Sequence, residues 1–180
     1  MKPIGPLMWE HRLIERLVKL LGSALSDMKQ TSKANSEFLT VVTDFFRTYA
    51  DRTHHGKEED ILFRELEKKP LSAEHKKIMG ELIEQHMRAR KLVTSLIDAN
   101  QKYKQGNQGS LKDILEPLTE LVNFYPAHIE IEDKHFFFPV LDYFTPQEQD
   151  TMLQEFWEFD RKLIHEKYQK IVDGLESTKV

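Results

Sequence analysis

The sequence contains no cysteine, which removes disulfides, thiolate metal sites, iron–sulfur clusters and thiol nucleophiles together. Glycine and proline are sparse, with 7 of each in 180 residues, so a strand-and-turn-rich or low-complexity chain is not expected. No apolar run approaches the length of a membrane span, and the first residues, Met1-Lys2-Pro3-Ile4-Gly5, carry no signal sequence. A cytoplasmic protein with no membrane partner is therefore expected. The formal net charge of −4 is small, and the lysines and arginines are scattered, so the electrostatic footprint of a nucleic-acid binder is missing. Any metal would have to be held by nitrogen and oxygen.

What the chain does have is helical periodicity. Its length and 39% hydrophobic content suit one domain with one core. The spacing predicts an all-α, antiparallel up-down-up-down four-helix bundle over about residues 6–141, with an additional C-terminal helix over about 146–175. Leu7, Ile14, Val18, Leu21 and Leu25 stripe the first helix. Phe38, Val41, Val42, Phe45, Tyr49, Leu62 and Leu66 stripe the second, which should stop near Lys69 and Pro70. Ser72 is placed to cap a third helix carrying Met79, Leu82, Ala89, Val93 and Leu96, and Ser110 to cap a fourth carrying Ile114, Leu118, Leu121 and Tyr125, bent by Pro117 and Pro126. Thr145-Pro146-Gln147-Glu148 is a capping box for the last helix, whose Phe156, Trp157, Phe159, Leu163 and Ile171 should pack outside the bundle.

Eight histidines are the chemically informative feature, because imidazole with carboxylate suits iron, manganese and zinc. Two segments echo one another: His55-Gly-Lys-Glu-Glu59-Asp and His128-Ile-Glu-Ile-Glu132-Asp. Residues four apart on a helix share a face, so each segment aims an imidazole and a carboxylate at one point. His11 is the polar member of the first stripe and His86 that of the third. One rule thus gives six inward groups: His11, His55, Glu59, His86, His128 and Glu132. An ionised carboxylate in an apolar core needs a partner charge or a metal.

His54 and Glu58 form the same pair one residue earlier. Their face runs through Arg47, Asp51 and Glu65 and reads as solvent, so His55 with Glu59 is preferred, with Glu58 kept as an accessory ligand. His135 follows Glu132 by three, the spacing of ferritin-like sites, but no second copy accompanies it. Tyr49 and Tyr125 share the ligand faces, as aromatic core or as hydrogen-bond donors to the site.

Glu10-His11, His54-His55-Gly-Lys-Glu-Glu-Asp-Ile-Leu-Phe63, Glu84-Gln-His86 and His128-Ile-Glu-Ile-Glu132-Asp resemble the hemerythrin-like, or HHE cation-binding, family over the first 140 or so residues. The resemblance implies two non-haem iron ions, bridged by an oxo or hydroxo group and by the two motif glutamates; zinc or manganese also suits the donors. It carries the ligand role onto His11, His55, Glu59, His86, His128 and Glu132. One departure stands out: oxygen carriers of the family place a second histidine a turn from the first on the third helix, and here His86 is flanked at that spacing by Leu82 and Arg90.

The expected function is a metal-binding, non-catalytic protein that binds or senses oxygen, related small oxidants or iron, with a diatomic or peroxide as its small ligand. The alternative is a di-iron enzyme reducing peroxide, nitric oxide or oxygen with an external electron donor. Monomer and homodimer are both compatible with the sequence.

Overall fold

The computed structural model describes residues 2–177, with side chains described for 2–163 apart from Gln108; Ile171 lies beyond them. The described residues are all-helical, with no strand. Helix α1 spans Ile4–Thr31 and ends where Ser32 adopts a left-handed φ of 54°. Helix α2, residues 36–66, starts with the Asn35 side chain accepting the Phe38 amide at 3.0 Å. It is α-helical over Ser36–Phe45, then mostly π-helical over Phe46–His55 and Glu58–Phe63. Helix α3 (Ala73–Lys104) is capped by Ser72, whose hydroxyl accepts the His75 amide at 3.1 Å.

Helix α4, residues 111–140, runs without interruption through Pro117 and Pro126, with a π-helical turn at Glu132–Phe136. Ser110 does not cap it; its hydroxyl donates instead to the Asn107 carbonyl in the preceding turn. Helix α5 (Pro146–Ser177) opens with the expected capping box. The Glu148 amide donates to the Thr145 hydroxyl at 3.3 Å and the Thr145 amide to the Glu148 carboxylate at 2.8 Å. No helix among the described residues is long and apolar enough to cross a membrane.

The stripes of α1 and α3 are buried as their spacing predicts. The stripe of α2 differs. Val41 is 69% exposed, whereas Val42, Phe46, Ala50, His54, Glu58, Leu62 and Leu66 are all buried. These residues recur every fourth position. A straight α-helix turns about 100° per residue, so a strict four-residue stripe would drift by about 40° per step and wind off the core. The i→i+5 turns of the π segments, such as the Gly56 amide on the Asp51 carbonyl, add residues to the turn and keep the stripe inward.

Two apolar clusters form the core. One joins Ile14–Met28, Leu39–Ala50, Val93–Ala99 and Ile114–Ile129; the other joins Ile4 and Leu7, Ile61–Leu66, Met79 and Leu82, and Phe136–Phe156. Along α1 the chain passes from the second cluster to the first, along α2 from first to second, and the order alternates again in α3 and α4. Between the clusters each of α1 to α4 contributes polar residues. Helix α5 seats on the π segments of α2, where Phe159 faces Gly56 and Arg64 pairs with Glu155.

A Cβ at Gly56 would lie 2.7 Å from Cζ of Phe159. Gly56→Ala should therefore lower stability in the parent chain through overpacking. In a Phe159→Ala background the same change should raise stability by about 1 kcal/mol through helix propensity, a sign reversal that urea unfolding of the double-mutant cycle measures.

Candidate metal centre

Seven side chains meet in the layer between the apolar clusters: His11 from α1, His54, His55 and Glu58 from α2, His86 from α3, and His128 and Glu132 from α4. Each is at most 2% exposed. They fall into two groups, His11, His54, Glu58 and Glu132 on one side and His55, His86 and His128 on the other, with ligand atoms inside each group within 4.8 Å of one another. The carboxylates straddle the groups. Glu58 turns Oε1 toward His54 Nε2 (3.4 Å) and Oε2 toward His86 Nε2 (3.4 Å). Glu132 turns Oε2 toward His11 Nε2 (3.2 Å) and Oε1 toward His128 Nε2 (3.3 Å) and His86 Nε2 (3.6 Å).

Four of the five imidazoles are held from behind. Nδ1 of His11 meets Asp133 at 2.7 Å, that of His54 meets Glu10 at 2.9 Å, that of His86 meets Glu59 at 2.7 Å, and that of His128 meets Gln85 at 2.8 Å. An acceptor at Nδ1 fixes that nitrogen as the N–H and leaves Nε2 as the inward donor atom, the arrangement that orients metal-ligating histidines. The braces are themselves anchored. Arg12 holds Asp133, Arg90 holds Glu59 and Asp51, and the buried Lys57 joins Glu10 to Asp160 of α5.

At the centre the Nε2 atoms of His11 and His54 meet at 2.8 Å, and the other inward polar atoms lack partners. Both oxygens of Glu58 and of Glu132, and Nε2 of His55, His86 and His128, make no hydrogen bond. Buried polar groups are rarely left so, and charged ones need a counter-ion. The electrostatics follow from this crowding. Burial, reinforced by the Glu132 charge, pushes the Glu58 carboxyl well above its usual range, whereas the histidines around Glu132 outweigh burial and hold it low. Burial opposes charge on His11, yet Asp133 and Glu132 raise it to about 10. Burial lowers His54 and His128 to about 4 each. His55 falls well below its ordinary value through burial and the neighbouring imidazoles.

The decisive observation is this pair of buried His/Glu groups on a helical frame whose first half carries the HHE-type residues. Residues 3–84 match the hemerythrin HHE cation binding domain family. Neither the curated proteins nor the solved structures compared with the chain gave a match. The hemerythrin HHE match covers His11, His54, His55 and Glu58; His86, His128 and Glu132 come from beyond it and complete the cluster in space. The His/Glu groups fit a metal site.

Five of the six residues that sequence spacing singled out, His11, His55, His86, His128 and Glu132, converge here. Glu59 does not. Its carboxylate is 26% exposed and braces His86 from outside, while Glu58, expected at the edge, and His54, expected in solvent, are buried in the cluster. The reason is the π-helical winding of α2, which narrows the angle between adjacent residues so that His54 and His55 both turn inward. The signal was present as the four-residue recurrence from Val42 to Leu66. Tyr125 packs in the core, stacked on Phe46 and edge-on to His128, and the Tyr49 hydroxyl is buried with no hydrogen-bond partner.

The lowered values of His54 and His128 carry a pH signature for metal-free protein. A histidine near 6.5 unfolded and about 4 folded stabilises fully above 6.5 and loses that contribution as pH falls toward 4. His11, raised to about 10, and Glu58, held well above its usual range, change in the opposite sense over the same interval. Metal-free wild-type protein should therefore lose more urea stability between pH 7 and pH 5 than a His128→Gln variant, which lacks that titration, with little change in cooperativity.

Proposed function

We propose that the chain is a hemerythrin-like, antiparallel up-down-up-down four-helix bundle acting as one domain, and that its central layer holds a pair of non-haem irons for binding or sensing oxygen, related small oxidants or iron itself. The alternating order of the two apolar clusters along α1 to α4 supports the bundle. The observation that carries the metal pair is the bridging posture of Glu58 and Glu132, each with one oxygen toward either histidine group. One structural cation of tetrahedral habit would leave several of these seven donors unused.

On this reading His11 and His54 would hold one metal and His55, His86 and His128 the other, with Glu58 and Glu132 within reach of both groups. Bound iron would supply Lewis acidity and one-electron redox capacity. The chain supplies the rest. Asp133, Glu10, Glu59 and Gln85 set the imidazole orientations, and the apolar clusters above and below, with Phe137 stacked on His11 and Phe63 on His86, keep bulk water from the layer. Because the third helix offers Arg90 where oxygen carriers of the family have a histidine, His54 and His55 together make up the imidazole count from α2.

Iron-loaded protein should show near-ultraviolet charge-transfer absorption and a metal content matching a pair per chain. Glu58→Ala should abolish that absorption and the paired stoichiometry. Glu59→Ala, which removes only a brace, should keep the pair at an affinity weakened by roughly 10–100-fold. Equal loss in both variants, or retention in Glu58→Ala, would remove Glu58 from the bridging role.

A further inference from the structure

Four braces hold the imidazoles of the layer from behind, and one of them leads out of the bundle. Asp133 is anchored by Arg12 and Glu59 by Arg90, all of them residues of α1 to α4. Glu10 is anchored differently. Its Oε2 accepts from Nδ1 of His54 at 2.9 Å, and its Oε1 accepts from the ammonium of Lys57, which is fully buried. The same ammonium meets both oxygens of Asp160 on α5, at 2.8 and 3.0 Å. Four side chains in series, Asp160, Lys57, Glu10 and His54, thus join the last helix to the layer.

The local sequence makes this junction possible. Gly56 and Lys57 are consecutive on α2, as Phe159 and Asp160 are on α5, and the two pairs face each other. A Cβ at Gly56 would lie 2.7 Å from the Phe159 ring, so glycine is what lets α5 approach closely here while Asp160 reaches Lys57. An enclosed ammonium needs more than a share in one carboxylate. Glu10 carries a single negative charge and divides it between His54 and Lys57. With Asp160 in place Lys57 has a second carboxylate, and Glu10 is left to hold the imidazole. Without the Asp160 charge, the ammonium would draw Glu10 to itself, and His54 would lose the acceptor that orients its ring.

We propose that α5 is a working part of the metal centre: Asp160 and Lys57 are positioning residues that act through Glu10 on His54, so that docking of α5 tightens the metal on the His11 and His54 side and metal there tightens the docking of α5. The inference rests on the reading of the layer as a metal centre. A cation at Nε2 of His54 polarises the N–H at Nδ1 and draws Glu10 toward the ring, which leaves Lys57 more dependent on Asp160. The coupling is one of equilibria, so it has the same size in both directions. It is also one-sided. The braces of His86 and His128, Glu59 and Gln85, have no tie to α5 among the described residues.

Asp160→Asn tests this in the full chain, because it keeps the shape of the side chain and removes its charge. Glu155→Gln is the comparison: it breaks the pair with Arg64, another tie of α5 to α2, without touching the series that ends on His54. Zinc titration of metal-free protein, followed by histidine NMR, should show in Asp160→Asn a roughly tenfold or greater loss of affinity on the side that moves the His11 and His54 signals. The loss on the side of His55, His86 and His128 should be smaller, and Glu155→Gln should match the parent. Zinc should slow amide hydrogen exchange over residues 147–163 of α5 in the parent and in Glu155→Gln, but not in Asp160→Asn. Unchanged zinc affinity in Asp160→Asn, a loss equal on both sides, an equal loss in Glu155→Gln, or zinc protection of α5 that survives Asp160→Asn would overturn the proposal while leaving the metal centre standing. A parent chain that takes up neither zinc nor iron would instead overturn the metal-centre reading, and the proposal with it.

Discussion

Two carboxylates placed between two apolar clusters govern this molecule. Glu58 and Glu132 have no hydrogen-bond partner for any of their four oxygens and are fully enclosed. Charges so placed oppose folding strongly unless they are neutralised. Everything within reach is arranged to meet that demand: five imidazoles around them, an outer ring of acids and an amide behind four of those imidazoles, and arginines and a buried lysine behind the acids. The alternation of sign outward from the centre lets the cluster sit inside a protein that otherwise has little polar interior.

The same constraint explains the helix geometry. A regular α-helix presents a narrow stripe, and four such stripes offer too few donors when the third helix supplies only His86. Helix α2 makes up the difference by loosening its winding, bringing His54, His55 and Glu58 to one side. Helix α4 does likewise from Glu132 onward. π-helical turns cost regular hydrogen bonding and are found mostly where function calls for them; here each begins or ends on a residue of the cluster.

Much of this was legible in the residues. The all-helical class, the loops, the capping of α3 and α5, and the convergence of His11, His55, His86, His128 and Glu132 all follow from periodicity and from the high cost of placing such groups among aliphatic neighbours. Apart from the Ser110 cap, the misreading was confined to α2, where the doublets Phe38-Leu39, Val41-Val42 and Phe45-Phe46 offer two registers one residue apart. Counting with the α-helical period selected the wrong one, which sent Val41 and Glu59 inward on paper and Glu58 and His54 outward. The outer braces were illegible for a different reason: Asp133 on His11 and Gln85 on His128 join residues from separate helices, and no local pattern marks them.

The overlapping frames His54-x-x-x-Glu58 and His55-x-x-x-Glu59 have a consequence for how the sequence can change. All four of these residues are already in use, three in the cluster and Glu59 behind His86, so neither frame is held in reserve. Loss of one residue upstream in α2 would turn both frames from the layer together, and a stretch that is crowded with purpose on adjacent positions has no slack in its length.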